Sequence, residues 1–309
     1  MTDETPLGPG AEFDAIRQML ARWGDRAVGI GNDAAVVRLP RGDSLVASVD
    51  ATIEGQHFRR EWLSAREVGY RAVTAALSDL AAMSAAPVGV LLALELPDGW
   101  LAELGDLADG IGDAVDAAHT HIYGGNVSSG ERLSITTTAL GSAFTVLTRR
   151  GAHAGDRVYV TGTLGAPGAA LGRLLRGEAP GEFRERFARP CARLAESRWL
   201  AERGATAAID VSDGLLADLR HLAAASAARI EVDAQRVPRV SGVVAEQALS
   251  SGEEYELVVT TASVFDAAAF QRQFGIPLTE IGVVAGGPAG VDVRGARVAD
   301  VTGWNHLSR

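Results

Sequence analysis

No lysine occurs anywhere in the 309 residues, so all 29 basic side chains are arginine. That absence removes whole mechanisms. A P-loop needs a lysine on its phosphates, a protein kinase needs its strand lysine, and pyridoxal phosphate needs a Schiff-base lysine. Any phosphate chemistry here falls to metals, backbone N–H groups and arginine. A single cysteine, Cys191, excludes an internal disulfide and a cysteine metal cluster, and it fits a reducing cytosol. Long apolar runs are also missing: the longest uncharged apolar tract, residues 80–94, contains Pro87 and falls short of a bilayer span. The acidic opening M-T-D-E-T-P-L-G-P-G reads as neither signal peptide nor anchor. With a net charge of −10 and no arginine-rich run, the chain offers no surface for nucleic acid. These exclusions point to a cytoplasmic protein with small partners and no membrane.

What is present is enough apolar residue, 47%, and enough length for two domains of about 150 residues each. Residues 12–23 carry Phe13, Ile16 and Leu20 at helical spacing and stop at Gly24. The turn G-I-G-N-D-A-A-V-V (29–37) brings Asn32 and Asp33, and the strand 45–50 ends in Asp50, ahead of His57. Ser64 and Glu67 form a capping-box pattern that opens a helix running to Met83. Asp79 interrupts its apolar face, where a buried charge costs free energy unless a partner or cation meets it. Residues 88–96 read as a buried strand, 101–118 as an amphipathic helix, 123–130 (Y-G-G-N-V-S-S-G) as a second glycine turn and 133–140 as an alternating strand.

Around 148–156 the composition turns to loop, which sets the expected domains at 1–147 and 148–309. The second half opens with strand 157–161 and the glycine-rich T-G-T-L-G-A-P-G, which leads into a helix to Leu175. Charged residues with Pro and Gly make 177–189 a mobile surface segment, followed by a helix at 193–202. In A-A-I-D-V-S-D-G-L-L-A-D-L (207–219) a short strand ends at Asp210, and Ser212 or Asp213 is placed to cap the following helix. Two carboxylates therefore meet free backbone N–H groups at a strand-to-helix junction, a place that favours anionic ligands. A strand at 229–233, the motif A-L-S-S-G-E-E-Y-E-L (248–257), a helix at 263–274 and strands around Ile281 and Val291 complete the chain.

Asp33, Asp50, Asp79, Asp210 and Asp213 all fall at element ends or glycine turns. Brought together without cations, several would be forced to protonate. Oxygen-only clusters of this kind suit Mg²⁺, which keeps waters and completes its shell with phosphate oxygens, and the chemistry that fits is phosphoryl transfer. Solvated surface acids are the competing reading, and spacing alone leaves both open.

The ordered motifs G-I-G-N-D-A-A-V-V, S-V-D-A-T-I-E-G-Q-H-F, L-S-D-L-A-A-M, G-G-N-V-S-S-G, R-R-G-A-H-A-G-D-R-V-Y-V-T-G-T-L-G, I-D-V-S-D-G-L-L-A-D-L and A-L-S-S-G-E-E-Y-E-L resemble the thiamine-monophosphate kinase family. That family belongs to the aminoimidazole ribonucleotide synthetase-like superfamily. The resemblance implies two α/β domains, with N-terminal sheets pairing into a barrel at a homodimer interface. It implies the ATP-dependent conversion of thiamine monophosphate to thiamine diphosphate by direct transfer with several Mg²⁺ ions. Carried over position by position, it implies a metal shell of Asp33, Ser48, Asp50, Asp79, Asn126, Asp210 and Asp213, of which Asp79, Asp210 and Asp213 are catalytic. It also implies ATP contacts from Gly125, Asn126, Arg149 and Ser212, and thiamine-phosphate contacts from His57, Glu253 and Trp304. The chain departs from the family in having Asn32 and Asn126 where carboxylates are usual, which removes charge from the metal shell. A nucleotide- or thiamine-binding paralogue without turnover, or another ATP-dependent enzyme of the superfamily, is the alternative.

Overall fold

A computed structural model of the chain describes residues 11–28 and 37–297, with side chains from Asp14 onward. Asn32, Asp33 and Trp304 lie outside the described residues. The chain divides into two compact units, one running to Leu80 and from Ala85 to Phe144, the other taking Ala81–Ser84 and everything from Thr145 on.

The first unit is built from α1 (Ala11–Trp23), β1 (Ser44–Ile53), α2 (Ala65–Ala82), β2 (Ala86–Leu96), α3 (Leu104–Ala117), β3 (Ile122–Ser129) and β4 (Ser134–Ala143). Among the described residues these strands form a four-stranded sheet in the order β1-β4-β2-β3, antiparallel except for the β2/β3 pair. Alternation decides which face is covered. Ile135, Thr137 and Ala139 of β4 and Val90 and Leu92 of β2 are buried, whereas Leu45 and Val49 on the opposite face of β1 remain 56% and 65% exposed. The capping box is present as read: the Ser64 N–H donates to Glu67 Oε2 at 2.8 Å, and the Glu67 N–H returns to Ser64 Oγ at 3.4 Å.

Residues 123–130 are not a turn; they form most of β3. Their glycines serve a close strand approach. Gly124 sits at φ +146°, and a β-carbon on Gly125 would run into the carbonyl oxygen of Leu92, beside a register shift at Val90/Leu91. Helices α2 and α3 touch backbone to backbone for the same reason, since a β-carbon at Gly110 would meet the Arg66 carbonyl and one at Gly69 the Leu107 carbonyl. Gly110→Ala is therefore expected to lower stability by about 1–3 kcal/mol through overpacking, despite alanine's better helix propensity. Urea unfolding checks it, and a more stable variant would contradict the packing described.

The second unit contains β5 (Arg157–Thr161), α4 (Ala166–Leu175), α5 (Arg184–Ala188), α6 (Leu194–Glu202), β6 (Ala205–Asp210), α7 (Leu215–Ser226), β7 (Arg229–Asp233), α8 (Ala245–Ser250), β8 (Leu257–Thr261), α9 (Ala267–Phe274), β9 (Leu278–Ala285) and β10 (Gly290–Arg294). Among the described residues its strands make a six-stranded mixed sheet in the order β10-β7-β9-β5-β8-β6. The fold class is thus mixed α/β in both units. The second half of 177–189 is packed, contrary to the reading from its charge, whereas 177–182 stay largely exposed: Phe183, Phe187 and Ala188 are 6%, 3% and 2% exposed. An i, i+4 aromatic pair inside a charged segment supplies the burial that composition concealed. No helix of the described residues is long and apolar enough to cross a membrane.

Candidate active site

In the second unit β6 ends at Asp210, 3% exposed, and the chain turns through Val211–Gly214 into α7. Neither Ser212 nor Asp213 caps that helix. Its N-cap is Gly214 at φ +111°, with no side-chain cap, and the carboxylate of Asp218, one turn into α7, reaches back to accept the Asp213 N–H at 3.2 Å. Asp218 is 1% exposed. Burial first, then the charges of Asp210 and Asp213, push its carboxyl up to about 8, against the opposing pull of the Asp213 N–H and Arg149. Three carboxylates and Arg149 thus share one electrostatic neighbourhood.

The Arg149 segment is tied to the same region through its backbone. The Thr148 carbonyl accepts the Ala208 N–H at 3.0 Å, and Ser226 Oγ, at the far end of α7, donates to the Arg149 carbonyl at 2.7 Å. Ser226 Oγ also accepts from Gly151 and Ala152. The guanidinium itself is exposed, as a group that meets a soluble phosphate must be.

The S-G-E-E-Y-E loop between α8 and β8 lies against this turn. The Glu253 N–H donates to the Ser212 carbonyl at 2.7 Å, and the Glu254 and Tyr255 N–H groups both donate to the Val211 carbonyl. Glu253 and Tyr255 hold φ of +56° and +52° to do so, a strained backbone that only surrounding contacts maintain. Two buried glutamates anchor the loop. Glu254 Oε1 accepts the Gly165 N–H at 2.5 Å, at the start of α4. Glu256, fully buried, accepts from Arg193, Arg186 and Thr161 at 2.5–2.9 Å. Burial alone would raise the Glu256 carboxyl, but the charge and hydrogen bonds of Arg193, with Arg186 behind, hold it below its ordinary value. The glycine-rich loop before α4 thus meets a carboxylate of the protein itself at the Gly165 N–H.

Glu254 behaves in the opposite sense. Burial pushes it up to about 7, against hydrogen bonds from Ser251 and Gly165. A carboxyl raised in the folded state contributes stability that is present at low pH and is lost as pH rises towards 7. The loss is on the order of 3 kcal/mol between pH 4.5 and 7.5. Glu254→Gln, which keeps an acceptor for Gly165, should flatten that slope in urea titrations across this range. Identical pH profiles for the two proteins would refute it.

In the first unit Ser48 Oγ donates to the Asp79 carboxylate, joining β1 to α2. Asp50 lies two residues along β1, on the same face as Ser48. His57 follows the strand: its Nδ1 accepts the Ile53 N–H at 3.0 Å, which places the ring proton of a neutral imidazole on Nε2. Gly125 shares a sheet row with Asp50 through Thr137 and Leu92. Asn126 falls in the next row, with Ala93, Thr136 and Ala51, on the other face. Three strand spacings, about 14 Å, separate β1 from β3. The structure therefore joins Ser48 with Asp79 and ties the Arg149 segment through its backbone to β6, the strand that ends at Asp210, while Asn126 stands apart from Asp50 within its sheet. Among the described residues no three Asp, Glu, His or Cys side chains are gathered closely enough to hold a metal ion.

Sequence reasoning missed Asp218, Glu254, Glu256 and Arg193. The signal for Asp218 was the acidic residue among Leu215, Leu216, Leu219 and Leu222, all buried. It could be read only once the helix start was fixed at Leu215.

Two domain families match the chain: the AIR synthase related protein N-terminal domain over residues 31–143, and its C-terminal domain over residues 153–294. A thiamine-monophosphate kinase of Rhodopirellula baltica is 35% identical over 279 residues, covering 84% of each chain. The crystal structure of the thiamine-monophosphate kinase from Stenotrophomonas maltophilia superposes with a TM-score of 0.83 at 35% identity, covering 92% of this chain and 97% of that one. A structure of AaThiL complexed with AMPPCP and TMP superposes with a TM-score of 0.77 at 29% identity, covering 96% of each chain.

Proposed function

We propose, from the premise that this chain belongs to the AIR synthase related proteins and among them to the thiamine-monophosphate kinase family, that it transfers the terminal phosphoryl group of ATP to thiamine monophosphate. The products are thiamine diphosphate and ADP. The observation that carries this is the relative complexed with AMPPCP and TMP, which aligns with this chain over 96% of its length. ADP release measured with and without thiamine monophosphate tests it: release is expected only with both substrates. Release from ATP alone, or none under any condition, would refute the reading.

We further propose Mg²⁺ as the partner of the carboxylates. The donors fit the ion in kind, being hydroxyl and carboxylate oxygens without thiolate, as at Ser48, Asp79 and Asp50. The crowding of Asp210 and Asp213 on Asp218 is likewise relieved by a cation. The proposed ligands are Asp33, Ser48, Asp50, Asp79, Asn126, Asp210 and Asp213. When bound, the ions neutralise charge on the transferring phosphoryl group. Arg149 binds phosphate from an exposed position, and the turn 210–213 holds its carboxylates on a backbone fixed from several sides. Gly125, Asn126 and Ser212 complete the proposed ATP contacts, and His57, Glu253 and Trp304 those to thiamine monophosphate. An existing phosphate oxygen, already anionic, is the nucleophile, so no side chain has to remove a proton.

A homodimer is proposed through the open face of the first unit's sheet. Leu45 and Val49 expose apolar side chains there, a pattern that suits burial against a second copy. Light scattering at micromolar concentration should give twice the 32.2 kDa chain mass; a monomer mass would exclude this assembly. A cytoplasmic location is proposed from the free, unpaired Cys191.

A further inference from the structure

The turn that carries Asp210 and Asp213 is held at its two halves by different parts of the second unit. Val211 and Ser212 accept from Glu253, Glu254 and Tyr255, so the loop after α8 fixes the first half of the turn. The second half rests on Gly214, a residue without a side chain, at φ +111°. A glycine there adds backbone freedom at the point where a side chain must be aimed, and the Asp213 N–H, one position outside the helix, has to be met by a group other than the N-cap. Asp218 fills that gap. It sits at 1% exposure in the first turns of α7, where apolar residues surround it, and its Oδ2 accepts the Asp213 N–H at 3.2 Å. A carboxylate placed there costs free energy by desolvation, and four neighbouring positions of this helix are filled by buried Leu and Ala.

We infer that Asp218 is a positioning residue for the phosphoryl transfer. Through the Asp213 N–H it locks the second half of the turn, so that the Asp213 side chain is presented in one orientation to phosphate and cation. Asp218 touches no substrate in this account and acts only through Asp213. The inference rests on the proposed kinase reaction and adds a residue to it.

The hydrogen bond and the charge are separable. Asp218→Asn keeps an oxygen acceptor of the same shape but removes the ionisable group, so it carries no charge at any pH, whereas Asp218→Ala removes both. Asp218→Ala is expected to lower kcat for thiamine diphosphate formation on the order of 10²-fold, with KM for thiamine monophosphate within about threefold of wild type. Asp218→Asn should restore kcat to within about threefold. Asp266→Ala, which removes the N-cap of α9 elsewhere in the same unit, controls for stability alone: it should lower Tm without moving kcat. Amide exchange at Asp213 reads the hydrogen bond without any substrate, and it should accelerate in Asp218→Ala only. If Asp218→Asn loses as much kcat as Asp218→Ala, the residue acts by charge and the inference fails. It fails equally if Asp213 exchange is unchanged in Asp218→Ala, or if that variant keeps wild-type kcat. A wild-type protein that makes no thiamine diphosphate would refute the kinase reading, while the exchange result would still report on the Asp218 contact.

Discussion

Asp213→Asn and Asp79→Asn are each expected to cut turnover about 10²–10³-fold while leaving the protein folded. Both substitutions keep the shape and an acceptor oxygen and remove one negative charge. At Asp79 the acceptor matters for the fold, because Ser48 Oγ donates to this side chain and ties β1 to α2; an amide oxygen preserves that tie. At Asp213 the fold rests on the backbone N–H held by Asp218, which the side-chain change does not touch. In the proposed mechanism the charge serves the reaction, in which several anionic oxygens approach one another and each missing counter-charge or cation ligand would raise the barrier. Steady-state kinetics beside thermal unfolding separates the two effects. Activity within a few-fold of wild type, with the fold intact, would return these residues to surface acids.

Arg193→Leu carries the largest expected stability loss, about 3–5 kcal/mol. Glu256 is fully buried, and its bonds to Arg193 Nε and Nη2 at 2.8 and 2.5 Å are the main compensation for that burial. Removing the guanidinium leaves Arg186 and Thr161 to hold the charge, and Arg186 is partly exposed. Breaking one partner is worse than removing both. The double variant Arg193→Leu/Glu256→Leu should therefore lose less than Arg193→Leu alone in urea unfolding. A single variant within about 1 kcal/mol of wild type would show that the pair is not compensating buried charge. Because Glu256 continues directly into β8 from the loop that holds Val211 and Ser212, a partly unfolded Arg193→Leu protein should lose turnover as well.

Periodicity was legible where one face of an element is buried. The capping box at Ser64 and Glu67 and the apolar stripe behind it give α2 nearly to the residue, and β5, β6 and β7 emerge from their apolar runs. The glycines of 123–130 misled because glycine marks both turns and close strand contacts. Only the partner strand, with the Leu92 carbonyl against Gly125, decides between them. Residues 177–189 misled because charged side chains outnumber Phe183 and Phe187, although it is the two aromatics that fix the segment. The carboxylates proposed for the site were legible as residue types, Asp210 at its strand end, although Asp50 lies inside β1, which continues to Ile53. What holds them was not: the Asp218 contact spans five residues back across a helix start, and the Glu254 and Glu256 contacts join residues nearly a hundred positions from Thr161 and Gly165. No local pattern carries such pairings, since register and burial create them.

The most direct test of the central claim follows the phosphoryl group itself. The protein is incubated with thiamine monophosphate and ATP labelled only in its γ-phosphate, with Mg²⁺ or with excess EDTA, and the thiamine products are resolved by mass. The account predicts label in the terminal phosphate of thiamine diphosphate, one for each ADP formed, with Mg²⁺ and not with EDTA. Label found only in inorganic phosphate, or thiamine diphosphate formed equally fast in EDTA, would contradict it.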